Sequence, residues 1–511
     1  MTATRSIVST LVLLALCCPA SAQSAASESG IVFLTGLLRK PAKVDQVLAT
    51  LGVIADPELA PLLAGASAAG PASQRLTALS ALSRLGAELA RPPLLACFRT
   101  DDDPLVKGKA LALLLNLKAI EPDEVRTALK LTDPHVRCLA ARALVAADKG
   151  HMALATLNEL ADEKTRIPGP KDTKIPMPLG VRAMAKLSLL ATGDGSQLAV
   201  LRKLVQDPAN PPELRELLAA QITRDKIAAA LPLARELADL AVDNEGKLLA
   251  FEAISTASPN DPTDLIQAIK GSSNVVFQVR LLELLAVRAD ALASLAALAG
   301  QSAPIGDLIA FERSRQALDP TTTQAAFKAM ADEQPVTISY VLSHARKDID
   351  QTKGKAVCYV PVLIKCIQLA GTETPDMLPE HHRAGRAAAM LADIATPEAL
   401  AALKGFLPAN KFDNRTRAVA AGLLESKSPA ACDVITPLLA SPYPELAWRA
   451  GMILGLGGRE SARGYLTDVV THPDASLDEK VVMAVWFLAK LDRVAKPTAV
   501  KLGQMMRTSG R

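Results

Sequence analysis

Aromatic residues make up only 3% of this 511-residue chain: nine Phe, four Tyr and two Trp. Sheet-rich cores draw on β-branched and aromatic side chains, whereas the 50% hydrophobic content here rests on Leu, Ala, Val and Ile. Ala and Leu are the best helix formers, so the expected class is all-α. A large charge of one sign is also missing. The net charge is +4 and is not gathered into a long basic block, which argues against nucleic acid as a partner, because phosphate binding needs a clustered basic surface. No apolar run reaches the roughly 20 residues a membrane-spanning helix requires.

Familiar catalytic signatures are absent as well. The chain has no Gly-x-Ser-x-Gly elbow, no Gly-x-x-x-x-Gly-Lys-Ser/Thr phosphate loop and no Cys-x-x-Cys-His for haem attachment. Gly455-Leu456-Gly457-Gly458 is read as a helix stop. His381-His382 is the only histidine pair; Glu380 and Asp376 are near it, but the spacing is not that of a zinc site. Asp101-Asp102-Asp103 lies at a turn. These observations give no catalytic, cofactor-binding or metal-ligating residues, and no cofactor.

Residues 1–22 are expected to be a signal peptide: Arg5, then the apolar run Ile7–Cys18, then Ala20-Ser21-Ala22 as a small-residue cleavage site. That predicts a periplasmic or extracellular protein after cleavage near Ala22. Leu14-Ala15-Leu16-Cys17 loosely resembles a lipoprotein signal, with Leu16 where a small residue is expected, so a lipid anchor at Cys17 is the lesser alternative. Five cysteines would then remain: Cys97, Cys138, Cys358, Cys366 and Cys432. An odd number cannot pair fully within one chain, and small buried hydrophobes is the expected role. A local bridge between Cys358 and Cys366 stays open.

What is present is a repeat. In Thr132–Val145, Asp133 can cap a helix and Pro134 suits its first position. Val136, Ala140, Ala143, Leu144 and Ala147 then follow at helical spacing on one face. Aligned on Arg137, the counterparts are Arg75, Lys107, Arg182, Arg215, Lys247, Arg280, Arg313, Lys355, Arg386, Arg417, Ala447 and Lys480. Most steps are about 30–33 residues, a period that marks a solenoid of helical hairpins. Tetratricopeptide units need more aromatics than the chain has, and the Thr-Pro-Leu-His turn of ankyrin units is not found.

The couplets resemble short HEAT-like repeats, the kind found in phycobilin lyase subunits and many bacterial proteins. The residues that carry the likeness are Asp-Pro-x-Val-Arg-x-x-Ala-x-x-Ala-Leu at Asp133–Leu144, Asp103-Pro104-Leu105-Val106-Lys107, Gly180-Val181-Arg182, and Ser428-Pro429 through Leu439. The resemblance covers roughly residues 45–495 and implies an α-α superhelix of about 13 hairpins. It also implies that the recurring Arg/Lys pairs with acids of a neighbouring unit in an ion-pair ladder, with Asp103 and Asp133 as available acids.

Two places break the period. At 162–180, Pro168, Gly169, Pro170, Pro176 and Pro178 rule out a helix, while Lys164, Arg166, Lys171 and Lys174 make the insertion basic. At 316–354 the pattern is irregular, a long loop or a degenerate repeat. The expected organisation is a segment at 23–44, repeats over 45–161, 181–315 and 355–495 between these breaks, and a tail at 496–511. Loops projecting from a solenoid often carry binding residues, so Lys164, Arg166, Lys171 and Lys174 are the candidate partner-binding residues. The leading functional expectation is a non-enzymatic exported scaffold for a protein partner. An enzyme or lyase-type subunit using the concave groove is the alternative, and nucleic-acid binding the third.

Overall fold

In the computed structural model the described residues are 44–168, 173–288, 290–298, 300–352, 356–371, 379–426, 428–471 and 479–491. The expected signal peptide, the segment up to Lys43, Cys17, Lys171, Lys355 and the tail from 492 lie outside them.

The described residues fold as α-helices with one small hairpin of strands. The chain separates into two compact units, dividing between Leu265 and Ile266. In the first unit the helices are α1 Val44–Ile54, α2 Ala60–Ala68, α3 Ala72–Ser83, α4 Ala87–Thr100, α5 Pro104–Asn116, α6 Pro122–Ala128, α7 Pro134–Ala146 and α8 Leu154–Ala161. Strands β1 Arg166–Pro168 and β2 Lys174–Pro176 come next. Then follow α9 Leu179–Ala191, α10 Ser196–Gln206, α11 Glu213–Asp225, α12 Leu231–Leu240 and α13 Asn244–Ala257. Helix α14, Thr263–Gly271, contains the division.

The second unit continues with α15 Val275–Ala286, α16 Ala291–Ala296, α17 Ile305–Ser314, α18 Pro320–Ala329, α19 Pro335–Gln351, α20 Val360–Leu369 and α21 Pro379–Ile394. It ends with α22 Pro397–Phe406, α23 Asn414–Gly422, α24 Pro429–Ile435, α25 Pro444–Leu456, α26 Arg463–Thr471 and α27 Glu479–Leu491.

The stretch with the best-formed motif shows why the helices begin where they do. Asp133 stays extended, and its Oδ1 accepts from the backbone N–H of His135 at 2.8 Å and Val136 at 3.0 Å. Pro134 fills the first helical position, where the missing N–H costs nothing. The same device opens α5 at Asp103 and α18 at Asp319, while Asp413 and Thr396 cap α23 and α22. Each such cap contributes about 1 kcal/mol.

Each unit stacks its helices in two layers. In the first, α3, α5, α7, α9, α11 and α13 pack successively against one another, and each also packs on its hairpin partner, as α2 on α3 and α6 on α7. In the second, α19, α21, α23, α25 and α27 form the equivalent row. Because a helix in such a row touches helices on both sides, it buries more than one stripe. On α7, Val136, Cys138, Ala140, Ala141 and Leu144 are buried, whereas Ala143 is half-buried and Ala147 exposed. The expected single face is therefore widened and rotated. An α-solenoid of stacked helical hairpins is the fold.

Helix α4 starts at Ala87 and runs through Pro92 and Pro93, held by buried Ala90, Leu94, Leu95 and Phe98. Two points left open by the sequence are settled. Residues 316–354 are not a loop, since α18 and the 17-residue α19 occupy them. Cys358 and Cys366 are both free thiols.

Candidate functional site

Among the described residues of the insertion, 162–168 and 173–178 are outside any helix, and Leu179 and Gly180 already belong to α9. The strands form an antiparallel pair with Arg166 opposite Pro176, Ile167 opposite Ile175 and Pro168 opposite Lys174. Its root is fixed by Met177, which is buried and whose N–H donates to the Thr165 carbonyl. In an antiparallel ladder, hydrogen-bonded and non-bonded pairs alternate. The Met177–Thr165 bond therefore makes Ile167–Ile175 a bonded pair and turns the backbone groups of residues 166, 168, 174 and 176 outward. Two of those four, Pro168 and Pro176, have no N–H to offer. Each edge thus keeps a single outward donor, and an added strand finds no continuous ladder.

Of the four basic candidates, Lys164, Arg166 and Lys174 are exposed, and Lys171 lies outside the described residues. The Lys164 N–H donates to Asp162 Oδ1, and Arg166 Nη1 donates to the Glu163 carbonyl at 2.9 Å. Ile175 is 38% exposed and shares a face with its partner Ile167, opposite the face of Arg166 and Lys174. The hairpin brings three of the expected residues onto one projection.

The recurring basic position does not form the simple ladder expected. Asp103 and Asp133 are helix caps, not its acids. Arg75 does pair with the next hairpin, placing Nε 2.8 Å and Nη2 2.9 Å from the carboxylate of Asp101. Arg137 likewise donates to both oxygens of Glu159, and hydrogen bonding to Arg137 holds that carboxyl below its ordinary pKa. The second task is capping. Arg137 Nε donates to the Leu129 carbonyl at the end of α6, and Arg215 Nε donates to the Val205 carbonyl at the end of α10. Arg215 Nη1 also reaches the Leu240 carbonyl of α12. A guanidinium is suited to this, because the last carbonyls of a helix have no partner of their own and carry partial negative charge. At Arg280 the only ion pair is within its own helix, to Glu283, and Ala447 is simply buried.

Among the described residues no group of three or more His, Cys, Asp or Glu is placed to hold a metal. His382 is exposed at the start of α21; Asp376 lies outside the described residues. The Asp101–Asp103 run is divided between Arg75 and the cap of α5. Burial pushes the thiols of Cys138 and Cys366 up, to about 11 and about 12.

The densest set of titratable groups was not read from the sequence. It sits where α17 meets α19. Arg315 donates to both carboxylate oxygens of Asp348, at 2.9 and 2.6 Å, and to Glu312 at 2.7 Å. Tyr359 donates to Asp348 at 2.5 Å. His344 Nε2 lies 3.5 Å from Glu312 Oε1, and the His344 ring stacks on Tyr340 with centroids 4.3 Å apart. Tyr340, His344 and Asp348 recur every fourth residue on one helix, which is the available signal: a polar stripe on a face that also carries Val341, Ala345 and Ile349.

No protein-family model and no curated protein matches the chain. Solved structures do. The Kap95:Nup1 complex aligns at 15% identity and a TM-score of 0.37, covering 93% of this chain and 68% of that one. UNC-45 from Drosophila melanogaster aligns at 12% and 0.28, covering 91% and 78%. Kap121p bound to the extreme C-terminus of the phosphatase Cdc14p aligns at 14% and 0.30, covering 94% and 51%. The fold is the α-solenoid of stacked helical hairpins described above. The expected periplasmic or extracellular location is withdrawn; residues 1–22, on which it rested, lie outside the described residues. No described helix is long and apolar enough to cross a membrane.

Proposed function

We propose that the chain is a non-catalytic scaffold that binds a protein partner through its stacked hairpins, with the arm at 162–180 as a principal contact. The finer affinity, to the short repeats of phycobilin lyase subunits, belongs to this proposal and rests on the motif at Asp133–Leu144. The observation that carries the reading is the arm itself. It is anchored by buried Met177, shows Lys164, Arg166, Lys174 and Ile175 to solvent, and has proline on both strands. With strand addition disfavoured, side chains are left to do the binding. The face that carries Arg166 and Lys174 suits an acidic segment of a partner protein. Such rim charges chiefly speed encounter and set orientation.

The test is site-specific photocrosslinking in cells with the reactive group at Lys174, and at exposed Val53 as a control. The expected result is a discrete adduct from Lys174 that weakens when Lys164 and Arg166 are changed to Glu. Equal adducts from both positions, or an adduct indifferent to the charge reversals, would refute the assignment.

A further inference from the structure

The Glu312–His344 contact poses a question of proton placement that geometry can answer. His344 Nδ1 lies 2.9 Å from the Tyr340 carbonyl, which can only accept, so Nδ1 carries a proton. Nε2 of the neutral ring is then an acceptor, and it faces another acceptor, Glu312 Oε1, at 3.5 Å. Both atoms are buried, and Nε2 has no other hydrogen-bond partner; the Tyr340 hydroxyl, also buried, faces Glu312 as a further donor to that carboxyl, but with less than ideal hydrogen-bond geometry. Two lone pairs facing each other in a buried site are disfavoured, since an unsatisfied buried polar group costs about 1–3 kcal/mol. A proton between them removes that cost.

We propose that Glu312 holds this proton as a neutral carboxylic acid and donates it to Nε2 of a neutral, Nδ1-protonated His344, so that one proton latches α17 to α19. The charges around the pair favour this over an ion pair. Arg315 is already matched by Asp348, so a neutral Glu312 and a neutral His344 leave the cluster balanced. Desolvation raises the Glu312 carboxyl above its ordinary range and lowers His344 to about 4. Of the other charges, Arg315 and Lys347 disfavour a cationic ring, while Glu283 of α15 opposes them. Around α19, Lys328 of α18 is engaged with Asp307. From α21, Arg386 reaches Ser343, Asp393 reaches Arg346, and Arg383 acts on Cys366.

The latch has a consequence for proton counting. Between the unfolded values of 4.5 for Glu and 6.5 for His, the unfolded chain holds one proton on the pair, on His344. The folded chain also holds one, on Glu312. No proton is then exchanged on unfolding, and the pair adds no pH slope in that window. Below it the unfolded chain takes a second proton before His344 does, so stability falls toward pH 4. An ion pair of carboxylate and imidazolium would also hold one proton, so stability curves alone cannot separate the two states.

The separating experiment is 15N NMR of the full-length chain labelled at histidine, with His344 assigned by comparison with His344→Gln. The expected spectrum shows His344 as the neutral Nδ1–H tautomer from pH 5 to 8, with charging only near pH 4. In Glu312→Gln, whose carboxamide can donate to Nε2, the tautomer should persist unchanged. A cationic His344 at pH 6, or a midpoint near 6.5, would overturn the proposal. So would a ring that is cationic in the parent and becomes neutral in Glu312→Gln. Hydrogen exchange on the same samples should show the amides of α17 and α19 losing protection together as His344 charges. Loss confined to one helix would show that the pair is not a latch.

Discussion

Replacing Gly422 with Ala tests the packing of the second unit at its closest point. A Cβ on Gly422 would stand 2.6 Å from Gly385 Cα and closer still to the Gly385 carbonyl. Since ordinary contact begins at 3.4 Å and the carbonyl is nearer than the Cα, the two backbones would have to part by more than 0.8 Å, a large shift in a close-packed interior. The obstacle is backbone, so no side chain can rotate out of the way. Moreover α21, which carries Gly385, also packs on α19, α20 and α22. Overpacking of this kind costs about 1–3 kcal/mol, and a site blocked by backbone belongs at the upper end. Ala recovers up to about 1 kcal/mol of helix propensity. The expected net loss is about 2 kcal/mol, up to ~30-fold in the folded-to-unfolded ratio. Gly405 in α22 is the control: a Cβ there meets nothing within 4 Å, so Gly405→Ala should stabilise by about 0.4–1 kcal/mol. Urea unfolding followed by circular dichroism, with hydrogen exchange to locate the change in α21 and α23, reads both. A Gly422→Ala protein within about 0.5 kcal/mol of the parent, which is the scatter of ordinary surface changes, would refute the reasoning.

Arg315→Met leaves Asp348 buried with Tyr359 as its remaining donor, and should destabilise by about 3–5 kcal/mol in urea unfolding; a loss under 1 kcal/mol would mean water reaches the site. Asp133→Ala removes the cap of α7 and should cost about 1 kcal/mol, whereas Asp102→Ala, exposed at the preceding turn, should be close to neutral by thermal melting. Glu159 has its carboxyl lowered by Arg137, so the stability it contributes is present above 4.5 and is lost as pH falls through its folded value. With Glu159 half-exposed that contribution is under about 1 kcal/mol, and the deficit of Arg137→Met should shrink in melts taken below pH 4. Cys138 and Cys366 should resist iodoacetamide at pH 8 in the native chain and react in urea, scored by mass spectrometry; alkylation at equal rates would contradict their burial.

The helical stack was legible because its signals are local and repeated. Asp133-Pro134 specifies a helix start within three residues, and a step near 32 residues leaves few alternatives to a solenoid. The non-helical character of 166–168 and 174–178 followed from the prolines there. Its strand pairing did not, because the bond from Met177 to Thr165 joins residues twelve apart and leaves no trace in a helical period. The ladder was read half correctly for a similar reason. Arg75 and Arg137 find acids on the next hairpin, but Arg215 finds carbonyls, and backbone acceptors are invisible in a sequence. The buried cluster was missed because Glu312, Arg315 and Asp348 become partners only when their side chains meet across the fold, between the end of α17 and α19. The region was set aside as irregular for its weak apolar pattern, and that weakness came from the polar residues of the cluster.

Pro168 and Pro176 close both edges of the small hairpin, and this makes the arm a suitable place to carry foreign sequence. A peptide spliced between β1 and β2 would be displayed on a support that cannot zip to a second copy of itself, strand against strand. The buried root at Met177 would keep the graft's attachment fixed while the helical stack beneath bears none of the inserted chain. Display scaffolds commonly fail by edge-to-edge aggregation, and here the guard against it is two pyrrolidine rings already in place.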